Sequence, residues 1–331
     1  MRAIQVDRYG GPEVLVRREI PVPSAKAGEA LVRVTHAGIN FMDIHTRQGK
    51  YATSRTYPMR LPVTLGMEGA GVVETVAEGV EEVRPRDRVA WCIVRGTFAD
   101  YAAVPSWRLV KVPDAIPLEM AAAVVFHGST AHYLAEDVAR LAPGMTCLVL
   151  AASGGIGQLL VQLAKQRGAR VIAVTSTPAK AAVAKARGAD EAILYDGGRF
   201  AEQVRWATAG EGVHVVFDPV GRETLRESFA ATRKRGLVVN FGAVSGPLRD
   251  LDPIELGEAG SLFLTRPRLA DHMADAPSIR RRADSLFRGL RDGTLRVEIA
   301  ARYRFERVAE GLATLEERRV VGKPILEVAP A

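Results

Sequence analysis

The stretch that most restricts the fold is residues 148–165, "LVLAASGGIGQLLVQLAK". A short apolar run suited to a buried strand passes through Ser153-Gly154-Gly155 into a segment with apolar residues at helical spacing. In the pattern Ala152-x-Gly154-x-x-Gly157 the turn follows a strand and opens a helix, the context of a dinucleotide-binding turn. Without a Cβ at Gly154 a pyrophosphate can approach the backbone, and Gly157 lets helix and strand pack closely. The unbonded amides at the helix start, with about half a positive charge from the helix dipole, then face the phosphates. Ala152 replaces the usual first glycine, a change small enough for the turn to tolerate.

Around this turn the pattern alternates. Strands are predicted at 146–151, 171–175, 192–195, 213–218 and 235–241, with helical segments between most of them and one further strand within 260–265. Two helices, roughly 118–125 and 129–140, precede them; another begins near Pro178 and stops at Gly188. Such alternation implies a parallel sheet covered by helices on both faces. Residues 1–120 instead show short strands broken by Gly and Pro, which favours a barrel-like or rolled antiparallel β domain. The tail returns to a mixed pattern: a helix at 278–291, a strand near 295–299, a helix at 306–317 and a strand at 324–328. The fold class is therefore α/β, a doubly wound parallel-sheet (Rossmann) domain at 123–266 inserted into a β-rich domain formed by 1–122 and 267–331.

With 331 residues, 47% apolar and 25% charged, the chain can bury sizeable cores. No window approaches the ~18 consecutive apolar residues of a membrane span, and no basic flank leads into an apolar run near the start. Cys92 and Cys147 each lie in an apolar run, which excludes a disulfide framework. A cytoplasmic protein without membrane contact is expected. The net charge of +7 suits nucleic acid or anionic small molecules. The only basic runs, "RKR" at 233–235 and "RRR" at 280–282, have no interleaved aromatics, which argues against nucleic acid. A phosphate-rich cofactor fits the charge better.

The second strand of the Rossmann pattern ends "VIAVTSTPAK". An NAD site expects an acid there for the ribose 2′-hydroxyl; Thr175, Ser176 and Thr177 occupy the slot, with Lys180 one turn on. Hydroxyls and a cation suit a 2′-phosphate, so the reading favours NADPH.

Six separated stretches carry a resemblance along essentially the whole chain: "GINFMDIHTRQGKY" (38–51), "LGMEGAGVVETVAEGV" (65–80), "AASGGIGQLLVQLAK" (151–165), "VVFDPVGRETL" (215–225), "NFGAVSG" (240–246) and "GSLFLTRP" (260–267). The sequence resembles the medium-chain dehydrogenase/reductase superfamily, and within it the zinc-independent quinone oxidoreductase (zeta-crystallin-like) branch. The resemblance implies a GroES-like β-rich catalytic domain and a homodimer paired through the "GSLFLT" strand. Relatives that use zinc carry a catalytic cysteine and a Gly-His-Glu triplet; here Asn40 and Met67 stand in those slots. The cysteine-rich structural lobe is missing, and His36, His45, His127 and His132 show no ligand-like pairing, so no metal is expected.

Without a Lewis acid the acceptor must itself delocalise incoming charge, as quinones and enones do. The resemblance places Asn40 and Tyr51 as candidate catalytic residues, Asn40 offering an amide donor and Tyr51 a phenol that stacks or donates. It assigns cofactor contacts to Phe41, Thr130, Gly154, Gly155, Ile156, Ser176, Lys180, Tyr195, Phe241, Leu264, Thr265 and Arg318, with Arg319 as the alternative to the last. Asp218 and Gly221 read as structural turn residues. The function expected is NADPH-dependent reduction of quinones or related α,β-unsaturated carbonyls. The alternatives are an enoyl-thioester or alkenal reductase, and a non-enzymatic cofactor-binding protein acting as a sensor or with RNA.

Overall fold

A computed structural model describes residues 1–195, 197, 199–317 and 319–329. The chain divides into two compact units, Met1–Ser129 with Met273–Ala331, and Thr130–His272. These divisions fall a few residues downstream of the joints read from the sequence at 122/123 and 266/267.

The first unit begins with β1 (Arg2–Val6), β2 (Val16–Glu19), β3 (Glu29–Gly38), α1 (Phe41–Arg47), β4 (Val63–Thr64), β5 (Glu68–Val76), β6 (Arg88–Cys92), β7 (Tyr101–Pro105) and β8 (Val110–Lys111). Helix α2 (Leu118–Tyr133) carries the chain across the division. The second unit then runs β9 (Thr146–Leu150), α3 (Gly155–Gln166), β10 (Arg170–Thr175), α4 (Pro178–Ala186), β11 (Glu191–Leu194), α5 (Phe200–Ala207) and β12 (Val213–Asp218). It closes with α6 (Leu225–Ala231), β13 (Thr232–Asn240), α7 (Ile254–Glu258), β14 (Phe263–Thr265) and α8 (Leu269–His272). The first unit is completed by α9 (Ala276–Arg291), β15 (Ile299–Arg304), α10 (Val308–Glu316) and β16 (Lys323–Glu327).

In the first unit a small sheet β2-β1-β4 accompanies a larger one ordered β15-β16-β3-β5-β6-β8, with β7 also paired to β3. The pairs are antiparallel, as the short turn-linked strands imply, except that β15 and β16 run parallel. The intervening α10 is the cause, because a helical crossover returns the chain in the same direction. Side chains of Val32, Val34, Trp91, Phe98, Leu312 and Leu326 meet in one core.

In the second unit the order β11-β10-β9-β12-β13-β14 is parallel throughout, the doubly wound arrangement. Strands β9 and β10 are buried along nearly their whole length, as continuous Val/Ile/Leu runs require when both faces are covered. Strand β14 ends the sheet, and its Phe263 is 64% exposed.

Two sequence expectations are corrected. Residues 118–133 form one helix, not two, followed by a π-helical turn at Leu134–Val138. Gly128 does not break it; a Cβ there would come within 2.7 Å of Leu286 on α9, so the glycine serves close packing. The strand expected near 295–299 is β15, starting at Ile299, because the Leu295 amide instead closes the end of α9 by donating to Gly289.

At the nucleotide turn the left-handed residue is Ala151 (φ 52°), not a glycine. Gly154 caps α3 in an extended conformation, and a Cβ there would meet only the Ala151 carbonyl, at 3.2 Å. A Cβ on Gly157 would lie 2.3 Å from that carbonyl and 2.8 Å from the Ala152 Cα. Gly157→Ala should therefore destabilise the chain by about 1–3 kcal/mol in urea unfolding, as overpacking against backbone does. Gly154→Ala should unfold close to the parent.

Candidate functional site

In the first unit the sequence-predicted residue Asn40 sits in a buried ionic network. Lys323, 1% exposed on β16, donates to Asn40 Oδ1 (2.7 Å), Glu68 Oε2 (2.5 Å) and His127 Nε2 (3.4 Å). Three ammonium hydrogens thus meet three acceptors. Asn40 Nδ2 donates to Gly38 O (3.1 Å) and Glu68 Oε2 (3.0 Å), while Glu68 Oε1 accepts from the Phe126 amide on α2 (2.6 Å). Burial pushes the Lys323 pKa down, and the Glu68 carboxylate opposes that. Burial, together with the Lys323 charge, holds His127 well below its ordinary range, so its ring is neutral with Nε2 as acceptor.

Both amide hydrogens of Asn40 are engaged inside the protein, and the residue is only 2% exposed. Its backbone amide donates to Asp43 Oδ2 (2.8 Å), fixing the first turn of α1. Asp43 is fully buried with Oδ1 unpartnered. Burial pushes its carboxyl up to about 7, opposed by the Asn40 amide and the Lys323 charge. A glycine is required at 38, where a Cβ would lie 2.1 Å from Glu68 Oε2.

Beyond Asn40, α1 and the following loop set out a row of rings. Phe41 lies 6.3 Å from His45, His45 lies 6.0 Å from Tyr51, and Tyr51 meets Tyr57 edge-to-face at 5.4 Å. Tyr51, the second candidate catalytic residue, is half-buried in this row.

In the second unit the amides of Gly155, Ile156 and Gly157 precede the first bond of α3, from Gln158 N to Gly154 O, and so stay available to an anion. The Gln158 side chain braces the turn by donating to Ser153 O (2.8 Å). At the end of β10, Lys180 Nζ donates to Ser176 Oγ (3.2 Å), and Thr177 caps α4, placing hydroxyls and cation side by side at the surface. Tyr195 stands edge-on to Phe200 at 5.8 Å, while the Phe241 amide donates to Asp218 O. Leu264 and Thr265 pair with Val238 and Val239, and Thr130 lies buried on α2. Arg318 lies outside the described residues. Asp218 accepts from the amides of Val220 and Gly221 and from the hydroxyls of Thr224 and Ser228, a wholly structural role.

Sequence reasoning did not single out Glu68, Lys323 or Asp43. A lysine among the buried residues of β16 was the available signal.

Two family models match: the alcohol dehydrogenase GroES-like domain over residues 26–114 and the zinc-binding dehydrogenase over residues 155–269. A quinone oxidoreductase of Pseudomonas aeruginosa is 36% identical, covering 98% of this chain and 99% of its own. A 2-haloacrylate reductase of a Burkholderia species is 33% identical over 98% of each chain. The crystal structure of Escherichia coli quinone oxidoreductase complexed with NADPH superimposes with a TM-score of 0.94 at 32% identity, covering 99% of this chain and 100% of that one. The chain belongs to the quinone oxidoreductase branch of the medium-chain dehydrogenase/reductase superfamily, and is an oxidoreductase.

The zinc in one model's description does not fit the residues here. Asn40, in a ligand slot, is bonded to an ammonium, Met67 is buried as a hydrophobe, and no three His, Cys, Asp or Glu side chains converge among the described residues.

The raised Asp43 carboxyl predicts a pH dependence of stability. Between about pH 4 and 7 the folded chain holds a proton on Asp43 that the unfolded chain has lost. Stability on this account falls as pH rises through that window, by at most about 1.4 kcal/mol per unit. Urea unfolding at pH 5 and 8 should show a smaller difference for Asp43→Asn than for the parent.

Proposed function

We propose that the chain is an NADPH-dependent, zinc-independent reductase that delivers hydride to quinones or related α,β-unsaturated carbonyls. The observation that carries the reading is the open Gly154 turn with Ser176 and Lys180 side by side beyond the next strand. The NADPH complex of the Escherichia coli relative supports it. When bound, the nicotinamide supplies the hydride.

The chain's own residues bind and orient. The α3 amides of Gly155 and Ile156 hold the pyrophosphate, with Gly154 leaving it room. Ser176 and Lys180 take the 2′-phosphate, and Thr130, Tyr195, Phe241, Leu264 and Thr265 line the rest of the cofactor. On the acceptor side of this reading the ring row from Phe41 to Tyr57 suits a flat, conjugated molecule, and the Tyr51 phenol donates to the oxygen that gains charge. The buried Lys323–Glu68–Asn40 network holds the start of α1, and so the row, in place. The 2-haloacrylate reductase relative favours activated alkenes as the second acceptor class. A cytoplasmic location and a homodimer belong to the same reading. The uncovered edge of β14, with Phe263 exposed, supports two-fold strand pairing. Phe263→Asp should shift sedimentation from dimer to monomer.

The test is oxidation of NADPH and of NADH, followed by absorbance, with a 1,4-quinone and a simple enone, with and without EDTA. NADPH-selective turnover, fastest with the quinone and indifferent to EDTA, is expected. Lys180→Ala should raise the KM for NADPH about tenfold more than that for NADH, the size of one lost charge-assisted contact.

A further inference from the structure

The loop that carries the ring row is unusually basic. Residues 44–67 contain Arg47, Lys50, Arg55 and Arg60 and not one Asp or Glu. Arg47 is neutralised by Glu316, to which it donates at 2.9 Å, but the loop meets two further guanidiniums that have no such partner. Arg95 donates from Nη1 to Pro58 O (2.7 Å) and from Nη2 to Tyr57 O (3.1 Å), while its Nε is buried without a partner. Two of its five donors are thus spent on neutral carbonyls. Arg108 stacks on Trp107, 4.2 Å from the ring centroid, and its Nη1 is buried without a partner. Neither forms an ion pair among the described residues.

Both guanidiniums are half-buried, and burial lowers the pKa of each. Arg95 interacts electrostatically with Tyr51, Asp43 and Tyr57, and Arg108 with Cys92 and Tyr57. Among the described residues the one carboxylate that acts on Arg95 is Asp43, whose carboxyl burial pushes up to about 7, so near neutral pH it offsets only part of the Arg95 charge; no carboxylate acts on Arg108. Two partly desolvated guanidiniums therefore interact with Tyr57 of the aromatic row, Arg95 offset only in part by Asp43 and Arg108 by no carboxylate among the described residues. Holding cations this way is costly unless an anion completes the set. A guanidinium with spare parallel donors is the group best matched to a carboxylate or sulfonate.

We propose that Arg95 and Arg108, beside Tyr57, form an anion-recognising wall of the acceptor site, so that this chain prefers conjugated acceptors bearing a carboxylate or sulfonate. The inference deepens the reductase reading and rests on the ring row being the acceptor side. Arg95 has a second duty, holding the Tyr57–Pro58 backbone, whereas Arg108 makes no hydrogen bond among the described residues. The two variants together separate charge recognition from loop support.

The experiment compares kcat/KM for a naphthoquinone and its sulfonated derivative, with NADPH, at low and high salt. The parent should favour the sulfonated quinone at low salt and lose that preference as salt rises. Arg108→Leu and Arg95→Leu should each reduce kcat/KM for the sulfonated quinone at least about tenfold more than for the neutral one, and Arg108→Lys should recover part of the preference. Equal losses on both quinones, or no loss in Arg108→Leu, would overturn the proposal and leave Arg95 as loop support. Calorimetric titration with naphthalenesulfonate reads the same wall without turnover. Binding by the parent that Arg108→Leu abolishes sustains the anion wall even if no quinone is reduced, which would sink only the quinone reading. Absence of binding by the parent sinks the wall itself.

Discussion

A single buried ammonium ties several elements of the first unit to one point. Lys323 and Glu68 are among the most deeply buried residues of the chain, and taking such charges out of water costs several kcal/mol per ion unless every donor and acceptor is matched. Here the matching is close to complete: Lys323 has its three acceptors, and the Glu68 oxygens take Asn40, Lys323 and a helix amide. The result is one node joining β16, β5, the start of α1 and α2. Gly38 is bare because the node leaves no space for a side chain beside it.

That node fixes how Asn40 is held. An asparagine at a former metal-ligand slot invites the idea of a catalytic donor. With one side of its amide on an ammonium and the other on a carboxylate, it is held in one orientation and its donors are spent. Its influence reaches the row of rings through geometry, since the helix it caps begins that row at Phe41.

Local features were legible in the sequence and long-range ones were not. The nucleotide turn could be read from eighteen contiguous residues, and the separate duties of Gly154 and Gly157 follow from where a Cβ would go. The strained residue, Ala151, escaped notice because alanine gives no sign of a left-handed backbone. The continuity of α2 was hidden by Gly128, whose purpose depends on Leu286, far along the chain. Lys323 and Asn40 are 283 residues apart, and nothing local to either shows that they meet. Nothing local distinguishes Arg95 and Arg108 among the many arginines, since what sets them apart is the lack of an ion pair among the described residues, which only the fold displays.

The position of β16 has a consequence for how the protein comes into being during translation. The second unit is one contiguous segment, Thr130–His272, so a ribosome delivers all of it before the last elements of the first unit. Glu68 is made early and its counter-ion only with β16. Until that strand emerges, the nascent first unit has a carboxylate destined for the interior and no cation to accompany it. The contiguous second unit can fold while the first still lacks its last strand, which brings Lys323.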